Sequence, residues 1–300
     1  MNTELNQRLD DFLASLPMHA IAGEVSGRIG RSAPDIEAML GMYANEARAS
    51  LALVAGHLEP GARILEAGAG LCIFSIFLKS QGYDITALEP ATGGFDLFST
   101  LKQAVLAHTG ATDLPVLDIP AQALDPASHG RFDLIFSNNV IEHIPGWKEA
   151  LDAMLGVLSQ GGRMLHSCPN YAVPYEPHFG IPVFRRLPGL SRALFGKRIA
   201  SHPELWQSLN FLTYGQVMAF CLQRGLPVEF ERGLLQKALA RLDSDPSFRA
   251  RHSSPLLLGS FALLKTTGLL KLLGSLPPGL TTPMIFTISR SAEASPAKGE

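Results

Sequence analysis

The stretch "ILEAGAGLCIFS" (residues 64–75) decides the fold class. A short apolar run ends at Glu66, the glycines Gly68 and Gly70 follow, and a second apolar run then begins. A buried strand that turns through closely spaced glycines into a helix is typical of the first βα unit of a nucleotide-binding sheet. Strand-like and helix-like runs continue to alternate up to Cys168, so we predict a mostly parallel sheet with helices on both faces. We also predict two helices before the first strand and a turn at "SQGG" (residues 159–162) before the fifth strand.

The residues around this turn indicate which ligand it binds. A dinucleotide fingerprint, GxGxxG, needs a third glycine where this chain has Ile73. Glu66 would repel a pyrophosphate at the helix N-terminus, whereas it suits a ligand that carries an ammonium group. Glu89 ends the next predicted strand, where an acid can accept hydrogen bonds from ribose hydroxyls. This pattern favours S-adenosylmethionine over NAD; the alternative is that both acids are only solvated strand ends.

The bulk properties exclude several classes of protein. The chain has 300 residues, a formal net charge of −2 and 46% hydrophobic residues, so it lacks the basic field that attracts nucleic acid. Its three cysteines form no CxxC pair, which argues against a disulfide framework or a cysteine zinc site. Because the N-terminus does not resemble a secretory signal, we expect a cytoplasmic protein, with the inner face of the membrane as an alternative location.

Several motifs together resemble the class I S-adenosylmethionine-dependent methyltransferase family. The segments that carry this resemblance are "ILEAGAG", "ALEP", "IPAQAL", "FDLIFSNNVIEHI" and "LSQGGRMLHSCPN". The likeness covers about residues 50–170, with weaker support to about residue 230, and it includes a resemblance to ubiquinone-type and surface-glycan methyltransferases. The resemblance implies a Rossmann-like fold with a seven-stranded, mostly parallel sheet, an antiparallel last strand and a helical substrate cover.

The resemblance also implies where the cofactor, S-adenosyl-L-methionine, binds. Its methionine end is expected on the glycine turn, its ribose at the end of the second strand, its adenine in the "IPAQAL" loop and its reactive methyl group near the end of the fourth strand. Asp118 is a rival to Gln122 for the adenine contact. The expected cofactor-binding residues are Glu66, Gly68, Ala69, Gly70, Glu89, Pro90, Ala121, Gln122 and Asn138.

The acceptor site is expected to follow the fourth and fifth strands. If the acceptor atom is a hydroxyl oxygen, methyl transfer to it needs a base that removes the proton. His143 is the first candidate for this base and His178 is the second. Asn170, Tyr171 and Tyr175 lie in a proline-rich loop that leaves the fifth strand, and we expect them to bind substrate. An ordinary surface loop is the alternative. The expected substrate is a small-molecule, sugar or lipid-linked acceptor.

The segment "NNVIEHI" also resembles a metal-binding variant of the family motif, Glu-x-x-Glu-His. Here Asn139 takes the place of the first glutamate, which leaves Glu142 and His143. Because the loss of a carboxylate removes charge that a hard cation needs, we expect no metal ion.

Residues 255–276 form a leucine-rich run that is interrupted by Lys265 and Lys271. Read as one helix, the run has three alternative roles: a lid or homodimer helix, a helix lying on a membrane surface, or a membrane span. A peripheral membrane contact through this run is therefore one of the expected partners.

The expected organisation is a single methyltransferase domain, 1–290. It comprises the N-terminal helices (1–58), a cofactor-binding core (59–170), a substrate loop with the later core (171–230), a helical insert (231–282) and a last strand (283–290). A disordered tail (291–300) is expected to follow. Two functions from other classes remain as alternatives, an NAD-dependent oxidoreductase and a non-catalytic methyltransferase-like scaffold subunit.

Overall fold

The computed structural model describes residues 2–90, 96–184, 187–244, 249 and 255–290. Within these ranges seven strands form one sheet. They are β1 (Arg63–Ala67), β2 (Asp84–Leu88), β3 (Val116–Leu117), β4 (Phe132–Asn138), β5 (Leu158–Cys168), β6 (Val228–Phe230) and β7 (Met284–Ser289).

The strand order is β3-β2-β1-β4-β5-β7-β6. Strand β1 pairs in parallel with β2 and β4, and β2 pairs in parallel with β3. The chain order therefore reverses between β1 and β4, which is the point at which open α/β sheets bind ligands. Gly161 N–H donates to Arg290 O and Arg290 N–H donates to Gly162 O, so the start of β5 meets the residue after β7, as in antiparallel neighbours. The predicted seven-stranded, mostly parallel sheet is confirmed.

The α-helices that the structure describes alternate with these strands and extend the chain before and after the sheet. They are α1 (Asn2–Ser15), α2 (Met18–Ile29), α3 (Ala33–Val54), α4 (Ile73–Ser80), α5 (Asp96–His108), α6 (Pro126–His129), α7 (Trp147–Gly156), α8 (Pro188–Ile199), α9 (Pro203–Ser208), α10 (Tyr214–Gln223), α11 (Leu234–Ser244), α12 (Pro255–Thr266) and α13 (Leu269–Leu273).

Helix α3 shows how local sequence defines an element that later contributes to the site. Ser32 caps its N-terminus by accepting a hydrogen bond from Asp35 N–H, and Pro34 lies in the first turn. Its apolar residues recur at helical spacing and are buried: Ile36, Leu40, Ala44, Ala47 and Leu51. Helix α3 packs against α4 and β4.

Two elements differ from the sequence-based expectation. The pattern predicts two N-terminal helices, but a further helix, α2, lies between them, buries Ile21 and Val25, and ends at Gly30 with a φ of 68°. The segment "SQGG" is predicted as a turn before the fifth strand, whereas β5 already begins at Leu158. The reason is the pairing with Arg290, a contact between residues distant in the sequence.

The chain divides into two compact units. Unit 1 comprises Met1–Ile141, Gly146–His166 and Ile288–Glu300, and its fully buried side chains include Ile64, Phe77 and Phe136. Unit 2 comprises Glu142–Pro145 and Ser167–Thr287. Its core contains Tyr171, Ile181, Val183, Ile199, Trp206 and Leu209.

The leucine-rich run 255–276 is expected from its sequence to form one helix, but the structure divides it into two. Gly268 has a φ of 74° and separates α12 from α13, because a residue in the left-handed region ends helical hydrogen bonding. Among the residues that the structure describes, none of the helices has the length and apolarity needed to cross a membrane. The tail 291–300, predicted to be disordered, lies outside the described residues.

Candidate functional site

The turn after β1 is packed so closely that two of its positions require glycine. Gly68 and Gly70 have φ values of 76° and 54°. A Cβ atom at Gly68 would lie 2.3 Å from Val140 Cγ2, and a Cβ atom at Gly70 would lie 2.5 Å from Tyr43 Cε1. Only glycine combines this conformation with this contact distance, so the turn forms a narrow cradle between α3 and the end of β4.

Hydrogen bonds join this turn to the end of β2. The N–H groups of Gly68 and Ala69 donate to Leu88 O, at 2.8 and 3.1 Å. Gly70 N–H donates to Glu89 Oε2 at 2.8 Å. The structure therefore brings the predicted methionine-binding turn and the predicted ribose-binding acid together, as parallel neighbouring strands require. Their contacts with the cofactor stay a prediction.

Glu66 lies inside unit 1, beside the turn, and is 6% exposed. Its Oε2 atom accepts a hydrogen bond of 2.5 Å from Ser75 Oγ. Burial, with a smaller contribution from the charge of Glu89, raises the pKa of Glu66 to about 8. In the cofactor-free chain the Glu66 carboxyl is therefore mostly neutral near neutral pH. A cationic ligand would favour its ionised form, which fits the ammonium group of S-adenosylmethionine.

Glu89 is surrounded by groups with opposing effects. Burial raises its pKa, and the nearby Asp118 charge adds to the rise, whereas the hydrogen bond from Gly70 N–H and the charge of Lys102 oppose it. Pro90 follows directly and is half-buried. Because Glu89 is next to the turn and ends β2, it remains the acceptor best placed for ribose hydroxyls.

The predicted adenine loop forms a short 3₁₀ helix, Ala121–Ala123. Ala121 is buried, whereas Gln122 is exposed and donates through Nε2 to Gly146 O at 3.3 Å. The Gln122 amide thus has a partner within the protein. Asp118, its rival for the adenine contact, lies close enough to Glu89 to influence its pKa.

Asn138 ends β4, as predicted, and its side chain contacts helix α3. Glu46 Oε2 accepts hydrogen bonds from Asn138 Nδ2 at 2.8 Å and from Asn139 Nδ2 at 3.1 Å. Sequence reasoning missed Tyr43 and Glu46, which α3 brings to the ends of β1 and β4. They carry no local motif, and only the packing of α3 against the sheet reveals them.

The two candidate bases are neighbours in unit 2. The ring centroids of His143 and His178 are 5.1 Å apart in an edge-to-face arrangement. His143 Nδ1 lies 2.8 Å from Ser208 Oγ, and its Nε2 lies 3.9 Å from Glu142 Oε1. Burial, with a smaller contribution from His178 and against the opposing charge of Glu176, lowers the pKa of His143 to about 4, so His143 is neutral near neutral pH. The sequence placed these histidines in one active site; the structure shows them in contact.

A buried carboxylate orients His178. The Glu176 side chain is fully buried, and its Oε1 lies 2.6 Å from His178 Nδ1. Glu176 also accepts hydrogen bonds from Phe179 N–H at 2.6 Å and from Tyr171 Oη at 3.2 Å. Burial alone would raise the pKa of Glu176, but the hydrogen bonds from His178 and Phe179 outweigh it and lower the pKa. Glu176 is therefore an ionised partner for His178.

The three predicted substrate-binding residues have different surroundings. Asn170 is fully buried; its Nδ2 donates to Thr281 O and Gly279 O, and its Oδ1 accepts from Tyr214 N–H. Tyr171 is also buried, and burial together with the Glu176 charge raises the pKa of its hydroxyl. Tyr175 is 42% exposed. Tyr175 is thus the member of the set that an incoming ligand can reach without rearrangement. The substrate role of all three stays a prediction.

One group of side chains has the composition of a metal site. One ligand atom each from Glu142, His143 and His178 lies within 4.8 Å of the other two. The sequence-based expectation of no metal ion rested on Asn139, which bonds to Glu46. The structure adds a ligand that the motif did not contain, His178, whereas ion binding itself stays untested.

The strand order, the glycine turn after β1 and the acid at the end of β2 are those expected of a class I S-adenosylmethionine-dependent methyltransferase. A sequence profile described as "Methyltransferase domain" matches residues 40–217, and the chain belongs to this family. It is an S-adenosylmethionine-dependent enzyme, and neither an NAD-dependent oxidoreductase nor a non-catalytic scaffold is favoured.

Two relatives in sequence and one solved structure illustrate what this chain is similar to. An uncharacterized protein of Mycobacterium tuberculosis is 34% identical over 258 residues, which cover 83% of this chain and 84% of that protein. A ubiquinone biosynthesis O-methyltransferase of Psychrobacter cryohalolentis is 29% identical over 111 residues, 37% of this chain and 42% of that enzyme. The structure of Haemonchus contortus phosphoethanolamine N-methyltransferase 2 with S-adenosyl-L-methionine has a TM-score of 0.46 and 16% identity; the match covers 83% of this chain but only 53% of that one.

Proposed function

We propose that this enzyme methylates a hydroxyl oxygen of a small-molecule, sugar or lipid-linked acceptor. The observation that carries the proposal is the contact between His143 and His178, with His178 fixed by the buried carboxylate of Glu176. S-adenosylmethionine supplies a methyl group already activated by its sulfonium. The chain's own residues then have to orient the acceptor and remove its proton. The partial likeness to a ubiquinone biosynthesis O-methyltransferase supports oxygen as the acceptor atom.

The hydrogen-bond partners of His143 determine which of its nitrogens can act. Ser208 Oγ–H donates to Leu205 O at 2.8 Å, so the Ser208 oxygen is left to accept from His143 Nδ1–H. The lone pair of His143 is then on Nε2. With a pKa of about 4, however, His143 is a weak direct base, because general bases work best when their pKa is near the operating pH.

His178 has the stronger support as the group that accepts a proton. The Glu176 carboxylate can stabilise the positive charge that proton transfer would create on His178, as the carboxylate of a catalytic triad does. The imidazole pair is therefore proposed as one acceptor-activating centre, with His178 as its proton acceptor and His143 as its neutral neighbour.

The chemical identity of the acceptor can be tested with trideuteromethyl S-adenosylmethionine. The enzyme is incubated with a cell extract that has been separated into aqueous and chloroform-soluble fractions, and mass spectrometry identifies molecules that gain the label. We expect the label on oxygen. A label on nitrogen or carbon would contradict the proposal.

Substitution of the histidines tests their role on the acceptor so identified. His178→Ala and His143→Ala are expected to lower turnover by about 100- to 10,000-fold, the range of general acid–base catalysis. Cofactor affinity, measured by titration calorimetry, should stay unchanged. The matched control is His202→Ala, since His202 is exposed and bonded to Ser201. Turnover at the wild-type rate in both histidine variants would exclude the centre.

A lipid-linked acceptor would also give a role to the exposed leucines of α12 and α13. Leu263, Leu269 and Leu272 are 63%, 45% and 61% exposed. We propose that they contact a membrane surface and bring the enzyme to its substrate.

A further inference from the structure

We propose that Glu142, His143 and His178 bind one divalent metal ion of the borderline class, such as Zn²⁺. This inference depends on the proposed function and changes one part of it: with the ion bound, both imidazoles serve as ligands, and the ion takes over from His178 the activation of the acceptor oxygen. It nevertheless rests on its own observation, the convergence of three ligand atoms of suitable chemistry within 4.8 Å of one another.

The distances between the three side chains are close to those of a bound state. Ligand atoms at about 2.0–2.2 Å from a tetrahedral ion are about 3.4 Å apart. His143 Nε2 is 3.9 Å from Glu142 Oε1, and no pair in the set exceeds 4.8 Å. Side-chain movements of about 1 Å would thus complete the site, which is the scale of rotamer adjustment rather than of refolding.

Both imidazoles are held in the tautomer that coordination through Nε2 requires. Glu176 Oε1 lies 2.6 Å from His178 Nδ1 and acts as the acceptor there, so the Nδ1 atom carries the hydrogen. Ser208 has the same effect on His143, because its own hydroxyl hydrogen is donated to Leu205 O. A carboxylate that accepts a hydrogen bond from the remote nitrogen is a usual support of a metal-binding histidine, as Glu176 is for His178; the Ser208 hydroxyl makes the corresponding contact to His143.

The burial of Glu142 favours a cation in this place. Its side chain is fully buried, and a buried carboxylate costs free energy that a neighbouring positive charge offsets. His143 and His178 are each 24% exposed at the side chain, so an ion and a small ligand can reach the cluster from solvent.

The donor set selects the kind of ion. Two imidazole nitrogens and one carboxylate oxygen suit Zn²⁺, Co²⁺ or Fe²⁺, whereas Mg²⁺ and Ca²⁺ prefer oxygen ligands alone. Three protein ligands also leave a coordination position for an oxygen of the acceptor, as in catalytic zinc sites. A hydroxyl bound there would lose its proton to solvent more readily; its oxygen would then form the bond to the methyl carbon while the carbon–sulfur bond breaks with its electron pair on sulfur.

Metal binding can be measured without knowledge of the acceptor. Full-length protein is freed of metal with a chelator and titrated with Zn²⁺ by calorimetry, and bound metal is counted by elemental analysis after dialysis. We expect one ion per chain. Co²⁺ should give the visible absorption of a four- or five-coordinate nitrogen–oxygen site, without a thiolate band, since all three cysteines are buried.

Variants locate the ion. His178→Ala should abolish stoichiometric binding and the Co²⁺ spectrum, and Glu176→Gln should weaken affinity by about 10- to 100-fold, as is usual for a residue that supports a ligand. Glu142→Gln is preferred to an alanine variant, because it keeps the volume of a buried side chain. Circular dichroism checks that each variant is folded. His202→Ala is the control and should bind the ion like the wild type.

The outcomes separate this proposal from the proposed function. Failure of the wild-type protein to bind Zn²⁺ or Co²⁺ stoichiometrically, or unchanged binding by folded His178→Ala, would overturn the metal site. If no ion binds and the histidine variants still lose turnover, the imidazoles act directly as bases. If an ion binds but the label is found on nitrogen or carbon, the metal site stands and oxygen methylation fails.

Discussion

The glycine turn after β1 and the Glu142/His143/His178 cluster differ in how the sequence encodes them. The turn lies within residues 64–75, and its main partner, Glu89, ends the next strand. The cluster joins the segment after β4 to a residue from a distant loop. The turn can therefore be predicted from a short stretch, whereas the cluster depends on tertiary packing.

The difference also concerns what each region tolerates. The turn excludes side chains, because backbone conformation and contact distance leave no room for a Cβ atom. The cluster excludes changes of hydrogen-bond partner, because Glu176 and Ser208 hold its imidazoles in one tautomer. Substitutions in the turn should therefore lower the stability of the protein. Substitutions in the cluster should lower activity or binding affinity and leave the fold intact.

The largest effect is expected for Gly68→Ala. A left-handed φ costs an L-residue about 1–2 kcal/mol, and the clash with branched Val140 adds about 1–3 kcal/mol, as overpacking does. The free energy of unfolding, measured by urea denaturation, should fall by the sum, and cofactor binding should be lost.

Gly82→Ala is the matched control, because Gly82 has a φ of 85° but nothing within 4 Å of its Cβ position. It should lose only the conformational part, about 1–2 kcal/mol. Equal losses in the two variants would show that the turn is not sterically constrained by Val140.

Glu89→Ala should have the next largest effect. The variant removes a charged acceptor, and a hydrogen bond to a charged group is worth about 1.5–3 kcal/mol, so affinity for S-adenosylmethionine should fall by roughly 10- to 100-fold. Titration calorimetry measures the change. Asp84→Ala, at the opposite end of β2, should bind normally. Unchanged affinity in Glu89→Ala would remove Glu89 from the cofactor site.

The regular elements and the cofactor turn could be predicted from the sequence, because short-range patterns determine them. Alternating strand and helix runs, glycine spacing and acids at strand ends are all visible in "ILEAGAG" and "ALEP". Helix α2 and the early start of β5 could not be predicted, since the first depends on burial against other helices and the second on pairing with Arg290.

The partners of the site residues were the least predictable part. Tyr43 and Glu46 reach the strand ends only because α3 packs on β4. Ser208 and Glu176 become relevant only once the chain brings them to the histidines. Polar side chains within helices and loops look the same in a sequence whether or not they support a functional group.

A smaller effect is expected from pH, through Glu66. Its pKa of about 8 in the cofactor-free chain means that the carboxyl is protonated below that pH, and binding of an ammonium group requires its ionisation. Affinity for S-adenosylmethionine should therefore rise with pH, by at most about tenfold per unit below the pKa, and level off above it. Calorimetry in buffers of different ionisation enthalpy should detect the released proton. In Glu66→Gln the dependence should disappear, and a persistent slope there would assign it to another group.

The smallest effect is expected for membrane binding by the leucine-rich run 255–276 of unit 2. In contrast to the glycine turn, the sequence of this run predicted no single role. A fully buried leucine contributes about 1.5–3 kcal/mol, and a leucine at a membrane surface only part of it. The double variant Leu269→Gln/Leu272→Gln should therefore bind anionic liposomes about fivefold more weakly in a pelleting assay, with unchanged stability, because both side chains are exposed. Leu222→Gln, at an 82% exposed leucine of α10, is the control and should pellet like the wild type. A wild-type protein that never pellets, together with a concentration-dependent dimer that the double variant abolishes, would assign these leucines to a homodimer contact instead.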